Sequence, residues 1–412
     1  MGCEVRFVET AVEDVITDIA MGPFGSNIKT NCFVSEGIPV FNGSNLTGFS
    51  TNDKALRYVT PEKAKSLGNA LASRGDVVVT HRGTLGQIAY IPNDSQYANY
   101  IISQSQFRVK CNQNKILPEY LVYYFHTPLG QWKLLSNTTQ TGVPALSRPT
   151  STFKKLSIEL PPVSYQAQVL ETLQPIQRKM ALNQRTNDYL ERCCQALFDD
   201  IQNDHTNEVI QLSDVAAVNP KRRLSKGSLA RCVEMSNLST RGAFPNDWCR
   251  KAYNGGMKFM NGDTILARIT PCLENGKTAY INFLDEGEVA FGSTEYIVLA
   301  SEGLLPAEFF YFLARSRAFV SYATNHMNGS SGRQRVSAGD IETYRLRVPS
   351  SDQAVRFAIF AQPAMEEILN HSLENRRLSS LRDALLPKLM SGEIDVSKVE
   401  LPTLPNNHLY VD

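Results

Sequence analysis

One heptad stripe, written twice, constrains this chain more than any other feature. It runs Val169, Leu173, Ile176, Met180, Asn183, Asn187, Leu190, Cys194, Leu197, Ile201, with the 4-3-4-3 spacing of a coiled-coil seam. The same spacing returns 188 residues later as Phe357, Ala361, Ala364, Ile368, His371, Asn375, Leu378, Arg382, Leu385 and Leu389. The polar interruption falls at the same place, Asn183 and Asn187 matching His371 and Asn375, and Pro175 returns as Pro363. Apolar spacing alone can coincide in two core helices. Shared polar and proline defects mark a duplication.

The segments before the stripes repeat as well. SRGDVVVTHRGTLGQIAYI and MNGDTILARITPCLENGKTAYI both open on Gly-Asp, cross an apolar strand, reach Arg82 or Arg268, and return through Ala-Tyr-Ile. KILPEYLVYYF answers GLLPAEFFYFL, and LPPVSYQAQVL answers VPSSDQAVRFA. The pattern predicts an α+β chain with mixed or antiparallel strands and short helices: a globular domain over 1–160, a long helix over 161–202, a similar domain over 203–348, a second long helix over 349–393, and a tail over 394–412. A helix over 164–201 is about 57 Å long at 1.5 Å per residue. Two such seams in one chain are expected to pack antiparallel, with buried Asn and His setting the register and the prolines kinking or breaking each helix. The polar, proline-bearing tail is expected to be extended or docked on a neighbour.

Composition narrows the function classes. With 42% hydrophobic and 20% charged residues the chain reads as folded rather than disordered. It has no run of 18 apolar residues and no signal-peptide layout, so neither a membrane nor export is expected. Eight cysteines without a CxxC pair argue against a zinc ribbon and for a reducing cytoplasm. A net charge of +1 neither demands nor excludes nucleic acid. Phosphate-loop, HExxH, GxSxG, GxGxxG and base-methylating Asn/Asp-Pro-Pro-Tyr/Phe motifs are all missing, and no catalytic residue, metal ligand or bound cofactor is expected.

Hydrogen-bonding loops stand where catalysis would. In the first half these are the MGPFGSNIKT loop with Ser26, Asn27 and Lys29; FNGSNLTG with Asn42, Ser44 and Asn45; THRGTLGQ with His81, Arg82 and Thr84; SQSQ with Ser103, Gln104 and Gln106; and NTTQTG with Thr139, Gln140 and Thr141. The second half answers with Arg222, Arg223 and Lys226 in NPKRRLSK, then Ser236 and Asn237, then Arg268, Thr270 and Lys277. Ser293 and Thr294 follow, and lastly Ser330, Ser331, Arg333, Gln334 and Arg335. Amides, hydroxyls and guanidinium groups are what base edges and phosphates require, whereas any one Asn, Ser or Thr is as well explained by a turn.

MGPFGSNIK followed by EGIPVFNGSNL, the SRGDVVVTHRGT strand and loop, IELPPVSYQAQVLETL, and LRDALLPKLMSGEI near the end resemble the specificity (S) subunits of Type I restriction–modification enzymes, the HsdS family. The resemblance covers nearly the whole chain. It implies two target-recognition domains, each reading half of a split site in double-stranded DNA, and two spacer helices that recruit two methyltransferase (M) subunits, joined by restriction/translocase (R) subunits. S-adenosylmethionine would then belong to the methyltransferase partner, and ATP and Mg to the restriction partner. The family's usual Glu-Gln at the helix start is Tyr165-Gln166 here and Asp352-Gln353 in the second copy. MGPFGS has no second copy, its place being taken by VNPKRRLSKG, so the two half-sites are expected to differ. The alternatives are a duplicated coiled-coil adaptor that binds only proteins, a specificity region related to fused restriction–methylation enzymes, and an enzyme with an unrecognised site in one domain.

Overall fold

The computed structural model describes residues 5–23, 27–139, 143–330 and 332–396. Ser26, Gln140, Thr141, Ser331 and the tail beyond 396 lie outside the described residues. The chain divides into two compact units, residues 1–177 with 379–412, and residues 178–378.

The two units have the same sheet topology. In the first, one four-stranded sheet runs Ile16–Met21, Gln106–Cys111, Val77–Thr80, Ile88–Tyr90. A second runs Arg57–Val59, Ile38–Val40, Asn99–Ile101, Leu71–Ser73. In the second unit the matching orders are Ala216–Val218, Tyr296–Ser301, Thr264–Ala267, Thr278–Tyr280 and Cys249–Ala252, Leu229–Val233, Ala290–Gly292, Lys258–Phe259. Even the parallel pair recurs, Val40 opposite Ile101 and Cys232 opposite Phe291. A two-stranded antiparallel ribbon leads into each long helix, Val8–Ala11 with Ser157–Leu160 and Val209–Gln211 with Arg345–Arg347.

Local chemistry explains the repeated Gly-Asp. Gly75 and Gly262 sit at φ +84° and +88°, a left-handed turn that favours glycine. The following carboxylate then accepts the backbone N–H three residues back, Ser73 to Asp76 at 2.9 Å and Met260 to Asp263 at 2.8 Å. Burial raises the pKa of both aspartates. Gly-Asp is therefore the turn that starts the central strand.

The long helices span Val163–Asn203 and Ser351–Met390, starting 188 residues apart. Both are unbroken: Pro175 and Pro363 are carried within them, against the expected break. In the first unit Leu173 is fully buried with Val169, Leu170, Leu386 and Leu389, while Leu385 is only partly buried, and the Tyr165 hydroxyl donates to the Ile394 carbonyl at 3.1 Å. The LRDALLPKLMSGEI stretch thus closes the first unit's core. In the second unit Ala361 and Ile368 are buried with Cys194 and Phe198, and Leu190 and Leu197 pack against them. Ile176 and Leu378 are half-buried. The polar layers pair antiparallel within the second unit. Asn183 Nδ2 donates to Asn375 Oδ1 at 2.9 Å, and Asn187 Oδ1 lies 2.8 Å from His371 Nδ1.

Candidate nucleic-acid interface

In each unit, backbone hydrogen bonds gather the same three loops. The His81 N–H donates to the Ser105 carbonyl (2.8 Å), the Leu146 N–H to His81 (2.8 Å) and the Gly83 N–H to Pro144 (2.9 Å). In the second unit the Arg268 N–H donates to Glu295 (3.0 Å), the Val336 N–H to Arg268 (3.0 Å) and the Thr270 N–H to Gln334 (3.0 Å). Isolated bridges link Arg82 with Ala145 and Ile269 with Arg335. These bonds correct the sequence pairing of Arg82 with Arg268: His81 is the counterpart of Arg268, and Arg82 that of Ile269.

The fourth loop is tied in by a side chain. Gln87 Nε2 donates to the Gly43 carbonyl at 3.0 Å, and at the equivalent place Lys277 Nζ donates to the Met235 carbonyl at 2.8 Å. The Ser-Asn-Leu turns they reach are built alike, with Asn45 Oδ1 accepting the Asn42 N–H (3.0 Å) and Asn237 Oδ1 the Glu234 N–H (3.2 Å).

The first unit opens there into a cleft of about 1100 Å³ lined by Gly22, Pro23, Asn27, His81, Arg82, Gln104 and Ser105. An adjoining pocket of about 430 Å³ is more apolar, with Phe33 and Phe41 below Asn42, Ser44, Gln104 and Arg57. Gly22 makes the cleft possible: a Cβ there would stand 1.9 Å from the Ser103 carbonyl oxygen. His81 Nε2 contacts the Gln104 carbonyl at 3.2 Å, and burial lowers its pKa. Its imidazole is therefore neutral at neutral pH, with Nε2 donating and Nδ1 left as an acceptor.

Several residues expected at the interface are framework instead. Asn45 is fully buried and donates both amide hydrogens, to the Asn52 and Lys54 carbonyls at 2.9 Å each. Its counterpart Asn237 shapes the matching turn, to which Lys277 is tied through the Met235 carbonyl. Gln106 is fully buried, with Oε1 accepting the Ser103 N–H at 2.9 Å. Arg222 is held by the buried Asp263 at 2.7 Å. Arg335 is gripped by Glu295, Nε at 2.9 and 3.0 Å and Nη2 at 2.7 Å, while Nη1 donates to the Arg333 carbonyl. Each of these side chains has found at least one partner inside the chain, although Gln106 Nε2 and Arg222 Nε are buried without one among the described residues.

Others hold local turns and remain partly reachable. Asn42 Oδ1 accepts from the Ser44 N–H and Oγ (2.8 and 2.5 Å). Ser103 Oγ meets Ser105 Oγ (3.0 Å), Thr139 Oγ1 donates to the Ala145 carbonyl (3.0 Å), and Ser293 Oγ accepts the Glu295 N–H (3.1 Å). Thr270 Oγ1 lies 3.4 Å from Glu274. Asn27, Lys29, Arg82, Thr84, Gln104, Arg223, Lys226, Ser236, Thr294, Ser330 and Arg333 are exposed, and Gln334 is half-buried. Glu295, Ser105 and Arg57 escaped the sequence reading. The carboxylate of FGSTEYIV, standing where the first copy has SQSQF, was the available signal for Glu295.

Two α+β domains of one topology, each gathering polar loops and each followed by a long helix, make this an internally duplicated two-domain protein. Residues 25–192 match the family model described as the Type I restriction modification DNA specificity domain. Over 380 residues the chain is 22% identical to the Type I restriction enzyme MjaIX specificity subunit of Methanocaldococcus jannaschii, covering 83% of each. To the HindI specificity subunit of Haemophilus influenzae it is 21% identical over 433 residues, covering 84% of this chain and 93% of that one. The crystal structure of the Type I S subunit from M. genitalium shares the fold, with TM-score 0.56 and 13% identity over 94% of this chain and 97% of that one. Over most of its length the chain is thus similar to specificity subunits of Type I restriction enzymes, and residues 25–192 carry the match to the DNA specificity domain.

Proposed function

We propose that this chain is the non-catalytic reader of its complex, recognising a split, asymmetric site in double-stranded DNA, one half with each unit. The observation that carries this reading is that two units of one topology bring the same loops together while displaying different side chains: Asn27, His81, Arg82 and Gln104 in one, Arg223, Lys226, Arg268 and Arg333 in the other. Amides and a neutral imidazole suit base edges, and exposed arginines and lysines suit phosphates. The long helices would then scaffold two methyltransferase subunits, with restriction subunits joining that assembly in the cytoplasm. S-adenosylmethionine would reside in the methyltransferase partner, ATP and Mg in the restriction partner. No described helix is long and apolar enough to cross a membrane.

The test is to produce the chain with its methyltransferase partner and sequence the modified sites. The expected result is two unequal specific blocks separated by a gap of constant length. A single contiguous block, or methylation without sequence preference, would overturn the reading.

A further inference from the structure

The three positions at which the loops meet carry His81, Ser105 and Ala145 in the first unit, and Arg268, Glu295 and Arg335 in the second. The backbone is the same and the chemistry is not. Each type of nitrogen on Arg335 is engaged, Nε and Nη2 on Glu295 and Nη1 on the Arg333 carbonyl. Arg268 differs. Its Nε is buried without a hydrogen bond, 3.9 Å from Glu295 Oε2, while its side chain keeps 29% exposure. A guanidinium beside an ion pair, with no hydrogen bond from its outer nitrogens to the described residues, is placed to donate outward.

We propose that Arg268 is a specificity-determining residue of the second half-site, that its partner is the major-groove edge of a guanine, and that Glu295 clamped by Arg335 positions it. This rests on the DNA-reading function proposed above. Two parallel N–H groups match guanine O6 and N7, the commonest specific pairing of arginine with a base. With Glu295 already paired to Arg335 the cluster's one net positive charge would also attract a phosphate, so the paired-donor geometry favours the base edge and the lysine variant below separates the two. In the first unit the neutral His81 and Ser105 at the same place would read a different base.

The test uses the full chain with its methyltransferase partner and selects bound duplexes from a pool randomised in both half-sites. Wild type is expected to fix a guanine at one position of one half-site. Arg268→Ala and Arg268→Lys should both relax that position alone, by roughly five- to a hundredfold, since lysine keeps the charge but not the paired donors. Glu295→Gln should relax the same position with the other half-site unchanged. If Arg268→Lys retains full selectivity, or Arg268→Ala weakens all sequences equally, the contact is to phosphate and the proposal fails. A variant that selects as wild type does also overturns it. Wild type that selects no sequence at all would instead sink the DNA-reading function itself.

Discussion

At the scale of single residues, the opening MGPF loop shows how a local pattern acquires its reason. Gly22 lies so close to Ser103 that Gly22→Ala is expected to destabilise the first unit by about 2 kcal/mol or more. Gly68, with open space around its Cβ position, serves as the control. Urea unfolding of the full chain should show the midpoint falling for the first variant and holding for the second. Asn45→Ala should cost about 1–3 kcal/mol, because the fully buried amide and its two hydrogen bonds to the Asn52 and Lys54 carbonyls are lost. Asn27→Ala, on the exposed lip of the cleft, should leave stability within about 0.5 kcal/mol.

Glu295 adds a pH dependence at the same scale. Its hydrogen bonds with Arg335 hold the carboxyl pKa below the ordinary 4.5. A depressed carboxyl pKa contributes stability that is present above 4.5 and lost as pH falls through the depressed value. The gap in unfolding midpoint between wild type and Glu295→Gln is therefore expected to close as the solution is acidified below 4.5. A gap independent of pH would show that the ion pair is not its source.

At the scale of elements, the helix seam explains its own polar defects. Within the second unit Asn187 contacts His371, which is the duplicate of Asn183, and Asn183 contacts Asn375, the duplicate of Asn187. Each polar layer thus joins a residue to the copy of its neighbour, the pairing an antiparallel duplicated helix requires. His371 Nε2 also meets Glu367 at 3.0 Å, and Asn183 donates to Glu374 at 2.6 Å, so the layers reach to the helix surface. Asn187→Leu alone should lower the unfolding midpoint by leaving His371 Nδ1 without its contact. Asn187→Leu with His371→Leu should recover it, because a buried apolar pair replaces a buried polar one. Failure of the double variant to recover would mean that the layer stabilises as well as specifies.

At the scale of the whole molecule, duplication separates what repeats from what differs. Strand order, the parallel pair, the Gly-Asp turn and the Ser-Asn-Leu turn recur, whereas the segment after the first core strand spans 16 residues in one unit (22–37) and ten in the other (219–228). A chain carrying the first domain twice is accordingly expected to select an inverted-repeat site. An asymmetric selection would break the link between loop identity and half-site.

The repeat, the two long helices and the polar loops were legible in the amino-acid sequence, because periodicity, glycine turns and polar runs are local properties recorded along the chain. What each polar side chain does was not. Asn45, Gln106, Arg222, Lys277 and Arg335 share residue types with the exposed Asn27, Gln104, Arg223, Lys226 and Arg333. The difference lies in partners brought near by the fold, among them the Lys54 carbonyl, Asp263 and Glu295. Pairing His81 rather than Arg82 with Arg268 likewise depended on backbone bonds between strands far apart in sequence. Sequence by itself determined which elements form and that they form twice; tertiary structure alone decided which polar groups are satisfied within the chain and which face outward, since that depends on contacts between distant segments.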